Sequence, residues 1–136
     1  MIMRFSISMD AQLLGQLDEY LIRRKYSSRS KAIRDLVRSV LVDEEWERDS
    51  EVVGVITLVY NHHQPFLQEK ITKLQHANHH QIISTTHVHM DHENCLEVTI
   101  VKGRASKVRA LAEQLIALRG VKNGNLTMSS TGDCLH

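Results

Sequence analysis

Seven residues near the start, RFSISMD (Arg4 to Asp10), alternate apolar and polar side chains and then give way to two helical stretches. Phe5, Ile7 and Met9 fall on one side and Arg4, Ser6 and Ser8 on the other, the period of a half-buried strand. Asp10 is a good N-cap for AQLLGQLDEYLIRRK, where Leu13, Leu14, Leu17 and Leu21 recur at helical spacing. After the turn YSSRS, KAIRDLVRSVLVDEEWER carries a second stripe of Ile33, Leu36, Val37, Val40 and Leu41. A lone strand cannot stand in water, because even a two-stranded ribbon is marginal. Nothing else in these first 45 or so residues can pair with this one. The strand is therefore expected to pair with its copy in a second chain.

Strand, helix, helix on an intertwined dimer is the ribbon–helix–helix pattern, whose antiparallel ribbon enters the major groove of double-stranded DNA. Arg4, Ser6 and Ser8 would then face base edges. The serine-rich start of the second helix would offer backbone N–H groups to a phosphate. Charge agrees with this division of labour. Residues 1–42 hold eight Lys/Arg against four Asp/Glu, net +4, while residues 43–136 hold nine against twelve, net −3. Only the first part is built to meet an anion.

The acidic stretch DEEWERDSE, 43–51, leads into a different organisation. VVGVITLVY is nearly continuous apolar sequence and reads as a buried strand. PFLQEKITKLQHANHH reads as a helix starting at Pro65, with Phe66, Leu67, Ile71 and Leu74 inward. QIISTTHVHM and CLEVTIV are strands around a turn, ASKVRALAEQLIALRG is a helix ending at Gly120, and VKNGNLTMS is a last strand. The order β-α-β-β-α-β is that of ferredoxin-like (ACT-like) domains. The expected class is α+β, with a ribbon–helix–helix DNA-binding and dimerisation domain at 1–48 and a ferredoxin-like metal-binding domain at 52–136.

Eight of the nine histidines lie between His62 and His92. His87 and His89, two apart on a strand, share one face. Keeping Leu96, Val98 and Ile100 on the apolar side requires His89 opposite Cys95 and His87 opposite Glu97. Directly paired residues sit about 4.5–5.5 Å apart at Cβ, within reach of one ion with bonds near 2 Å. Two imidazoles and a thiolate suit Zn, Cu, Ni or Co, and at least one ligand is still needed. His76, His79, His80 and His92 are candidates. His62, His63, His79 and His80 read individually as solvated, and Cys134 as a mobile thiol near the end of the chain.

Taken with RSKAIRDLVR, VYNHH, QHANHH, THVHMDHENCLE and VKG, the chain resembles the nickel-responsive ribbon–helix–helix repressors. The resemblance implies Ni(II) in a square plane, held by His87, His89 and Cys95 of one chain and His76 of a neighbour. It also implies supporting roles for Tyr60, Gln75 and Glu97, and a homotetramer built as a dimer of dimers. Two positions depart from the pattern. Lys25 stands where a glycine is common. Lys31 stands beside Asp35 where an acidic residue is usual in a second cation site, so its ammonium would replace that cation. The function implied is repression of nickel-uptake genes, with metal raising operator affinity.

Other readings are a repressor that senses another metal or an amino acid, or a metal-binding protein with no regulatory role. No HExxH, no nucleophile with a base at motif spacing and no glycine-rich phosphate loop is present, so no enzyme is expected. Aromatics at 4% argue against base stacking. The absence of an apolar run of about 20 residues, and of a signal-peptide-like start, points to the cytoplasm.

Overall fold

The computed structural model describes all 136 residues, in two compact units, 1–39 and 40–136. In the first unit α1 (Ala11–Arg23) starts at Asp10, whose Oδ1 accepts from the backbone N–H of Gln12 at 2.8 Å and of Leu13 at 3.4 Å. That carboxylate satisfies donors a helix start leaves unpaired. α2 (Arg29–Glu47) begins in this unit, and Arg29 forms a two-pronged contact with Asp18, both bonds 2.9 Å. The strand expected over residues 4–9 is not formed: residues 1–10 are exposed and have no regular structure. Strand hydrogen bonds need a neighbour, and one chain offers none. The α2 stripe is open as well, with Val37 52% and Val40 59% exposed.

α1 ends on Lys25, which takes φ 58°. Tyr26 N–H donates to Leu21 O at 2.9 Å and Lys25 N–H to Ile22 O at 3.1 Å, the paired bonds of a Schellman cap. The cap fixes the backbone and the lysine must follow, although a side chain in left-handed backbone costs about 1–2 kcal/mol. Lys25→Gly is expected to stabilise the protein by about 1 kcal/mol, read as a raised urea midpoint; an unchanged midpoint would mean that no strain is stored there. Close by, the Asp35 carboxylate receives Lys31 Nζ at 2.6 Å, the Tyr26 hydroxyl at 3.0 Å and Arg38 at 3.5 Å. The hydrogen bond from Lys31, then that from Tyr26, hold Asp35 below the usual carboxylate range against some loss of hydration.

The second unit carries β1 (Glu51–Asn61), α3 (Leu67–Ala77), β2 (Ile82–His89), β3 (Asn94–Arg104), α4 (Ala105–Ile116) and β4 (Val121–Met128). The four strands form one antiparallel sheet in the order β2-β3-β1-β4. One face is closed by the helices. Val52, Ile56, Leu58 and Tyr60 of β1 pack with Leu67 and Ile71 of α3, Val108, Leu111 and Leu115 of α4, and Trp46 at the end of α2. The opposite face is not closed. Val53, Val55 and Val59 are only half-buried, so the β1 sequence, read as buried throughout, is buried on one side within a single chain. α3 also starts later than expected. Phe66 takes φ 65° at the N-cap, turns outward and is 70% exposed rather than inward, and helical residues begin at Leu67.

Candidate metal centre

The β2–β3 hairpin has the register required by the apolar pattern: His87 opposite Glu97, Val88 opposite Leu96, and His89 opposite Cys95. Its turn is tied by Asp91, whose Oδ1 accepts from the N–H of Glu93 at 2.8 Å and of Asn94 at 2.7 Å. Those bonds, led by the one from the Asn94 backbone, pull the Asp91 carboxyl down to about 2. The result is a short, firmly closed hairpin that delivers both imidazoles to the helix-bearing side of an edge strand. His89 Nδ1 lies 3.3 Å from Cys95 Sγ, and the rings of His87 and His89 have centroids 5.1 Å apart.

A third imidazole joins them. His62 Nδ1 sits 3.1 Å from Cys95 Sγ, and the donor atoms of His62, His89 and Cys95 all lie within 4.8 Å of one another. His62 reads from the sequence as solvated rather than ligating; here it is half-buried against the sulfur. It is placed by the pairing of β1 with β3, which sets Tyr60 opposite Cys95 and Asn61 opposite Asn94, and by His62 N–H donating to Glu93 O at 3.1 Å. A signal for it exists in the sequence: a central β1 ends where β3 begins, so VYNHH must meet the residues around Cys95. Finding it requires the sheet order, which no local period reveals.

Burial pushes the Cys95 thiol up, helped by the charges of Asp91 and Glu97, so the side chain is a neutral thiol here. His62 is shifted down, first by lost hydration and then by the neighbouring histidines. A neutral imidazole presents a lone pair, and a cysteine gives up its proton on meeting a cation, so this donor set fits a divalent transition metal.

Behind the hairpin Glu97 is buried at 3% exposure. Gln75 Nε2 donates to its Oε2 at 3.1 Å and to Thr99 Oγ1 at 3.4 Å. Loss of hydration raises the Glu97 carboxyl, and the bond from Gln75 offsets part of that. Tyr60, fully buried, donates its hydroxyl to Gln68 Oε1 at 3.1 Å and lies 6.0 Å, ring to ring, from His87. Burial, then the charges of Glu97 and Cys95, pushes its phenol up to about 12. Tyr60, Gln75 and Glu97 are thus gathered behind the hairpin. His76 is not: it is exposed near the end of α3, outside the three-donor group, beside His79 at 5.8 Å and lining an open groove of about 420 Å³ with Gln68, Thr72 and Lys73. Arg4, Ser6 and Ser8 are exposed on the irregular first segment.

Residues 53–129 match the family model of the NikR C-terminal nickel-binding domain, and residues 3–44 that of ribbon–helix–helix proteins of the CopG family. A protein of Desulfotalea psychrophila named for nickel-responsive regulation is 58% identical over 136 residues, all of both chains. One of Geobacter sp. strain M21, with the same name, is 52% identical over 134 residues, covering 98% of this chain and 96% of its own. An uncharacterised protein of Thermotoga maritima, TM1266, shares the fold at 15% identity and a TM-score of 0.52, over 57% of this chain and 96% of its own. No helix is long and apolar enough to cross a membrane.

Proposed function

Because the chain belongs to the family of nickel-responsive ribbon–helix–helix transcriptional regulators, we propose that His87, His89 and Cys95 of one chain and His76 of a neighbouring chain are its nickel ligands. The observation that carries this reading is the hairpin register, which brings two imidazoles of β2 and the thiol of β3 to one face of the β2–β3 hairpin. Glu97 lies opposite His87 and is itself held by Gln75, so the pair can fix the orientation of that ring, with Tyr60 as its wall. His76 is exposed and stands outside its own chain's donor group, as a ligand for another chain must. A bound Ni(II) supplies bonds that join two chains.

The chain offers two apolar surfaces for its copies: the α2 stripe around Val37 and Val40, and the sheet face of Val53, Val55 and Val59. The first serves the ribbon–helix–helix dimer, in which Arg4, Ser6 and Ser8 reach base edges in the major groove. The second serves a dimer of dimers, the homotetramer that brings His76 to its partner hairpin. DNA affinity then rises by whatever preference the metal-bound assembly has for the DNA-competent arrangement. The outcome is repression of nickel-uptake genes when nickel is plentiful.

The test works without an identified operator. Reduced full-length protein is used to select duplexes from a random library, once with Ni(II) and once with a chelator. Enrichment of one palindromic sequence, bound at least about tenfold more tightly with Ni(II), is expected. Equal enrichment under both conditions would leave a DNA-binding protein that does not answer to nickel.

A further inference from the structure

We infer that Lys31 is a counter-ion built into the chain: its ammonium occupies the Asp35 carboxylate at the α1–α2 corner, so the DNA-binding unit is set without any bound cation. The corner itself is independent of the nickel reading. Its consequence for DNA rests on that reading: nickel at the hairpin is then the one ion to which DNA affinity answers.

Asp35 is where α2 is tied to the end of α1. Tyr26 donates its hydroxyl to Asp35 Oδ2 at 3.0 Å. Tyr26 is in turn held by α1, through its N–H to Leu21 O at 2.9 Å and its ring beside Tyr20, centroids 6.1 Å apart. The other oxygen, Oδ1, receives Lys31 Nζ at 2.6 Å, and Arg38 reaches it at 3.5 Å. One carboxylate, its side chain 31% exposed, thus carries three donors, two of them cationic. A calcium-class ion takes about six to eight oxygen ligands. This carboxylate faces N–H and O–H groups instead, so the residues do not fit the cation that the resemblance implies here.

Helix formation does not account for the lysine. Lys31 lies in the first turn of α2, where the helix dipole disfavours a cation. Its acidic partner is C-terminal to it, the weaker of the two orders for an i,i+4 pair. These effects are similar in size and opposed, so they leave little net reason for a lysine. The corner supplies one. An acid at position 31 would set two carboxylates one turn apart, and they would need an ion between them. The ammonium makes the corner self-sufficient, and the hydrogen bond from Lys31 is the first cause of the lowered Asp35 carboxyl. What the corner positions is the start of α2. There Ser28 Oγ accepts from the Lys31 N–H at 3.2 Å, among the backbone groups expected to meet a DNA phosphate.

The experiment compares urea midpoints of the full-length, metal-free protein in tetramethylammonium chloride, in potassium chloride and with added calcium chloride, at one ionic strength. Calcium prefers oxygen ligands, which keeps it off the imidazoles and the thiol. The proteins are the wild type, Lys31→Glu, and the double variant Lys31→Glu, Asp35→Asn, which gives the response of the rest of the chain. The wild type is expected to respond to potassium and calcium no more than the double variant. Lys31→Glu should have a lower midpoint in tetramethylammonium, and potassium or calcium should restore at least about half of the loss. On a duplex selected with Ni(II), exchanging potassium for tetramethylammonium should change wild-type affinity less than about twofold and that of Lys31→Glu at least about tenfold. Three results would overturn the proposal: a wild-type response larger than the double variant's, a Lys31→Glu midpoint equal to the wild type's, or a lowered one that neither ion raises. Failure of the nickel reading looks different, since no nickel-dependent duplex would then be selected while the midpoints still decide the role of Lys31.

Discussion

Cys95→Ala is expected to abolish the thiolate-to-metal charge-transfer absorption of the nickel-loaded protein and to weaken Ni(II) binding by well over about 100-fold. The sulfur is the centre of the cluster, within 3.3 Å of two imidazole nitrogens, and the chain's other thiol, Cys134, is exposed. A thiolate is also the one anionic donor in the set, so its removal takes away charge as well as a bond. The fold should survive. Shortening a buried cysteine by one sulfur removes far less than the roughly 2–5 kcal/mol of a Leu→Ala truncation, and Cys95 lies near the end of its strand, one residue after β3 begins. Absorbance titration with Ni(II), alongside a thermal melt of the metal-free variant, separates the two effects. A band of undiminished intensity in Cys95→Ala would remove the hairpin from the nickel site.

The second large effect concerns stability. Gly54 lies inside β1, where glycine ordinarily weakens a strand and valine would gain up to about 1 kcal/mol. Propensity alone thus favours Gly54→Val. The packing opposes it: a Cβ at this position would stand 2.6 Å from Val108 Cγ1, 3.0 Å from Leu126 Cδ1 and 3.4 Å from Trp46. None of these is the free end of a long side chain, and α4 would have to move off the sheet. Overpacking of this kind costs about 1–3 kcal/mol or more, and it decides the sign. Gly54→Val should therefore lower the urea midpoint of the metal-free protein by an amount equivalent to about 3 kcal/mol. Gly103→Ala is the control, since its added Cβ meets only Gln81 at 3.5 Å. Equal midpoints for the two variants would show that α4 yields more easily than its close approach implies.

The hairpin is legible in the sequence because a strand has period two: once Leu96, Val98 and Ile100 share a side, the partner of each residue follows. The Asp10 cap is legible for a reason equally local. What the sequence does not show depends on partners remote along the chain. His62 is placed by a strand pairing across 35 residues, Tyr60 with Cys95. Phe66 resembles core by composition, but its positive φ turns it outward before the helix starts. Residues 4–9 alternate like a strand yet have nothing in this chain to bond with. The role of His76 comes from resemblance, since no spacing within one chain connects it to the hairpin.

The location of the proposed ligands His87 and His89 on β2 has a consequence for how such a protein can change over generations. β2 has a single strand neighbour, and His87 and His89 are exposed. Substitutions at exposed positions usually stay within about 0.5 kcal/mol, whereas the buried positions opposite them, Cys95 and Glu97, belong to the folded interior. Metal preference can therefore be altered on the outer strand with little effect on folding. Cys95 and Glu97, enclosed by their neighbours, are less free to change in size or charge.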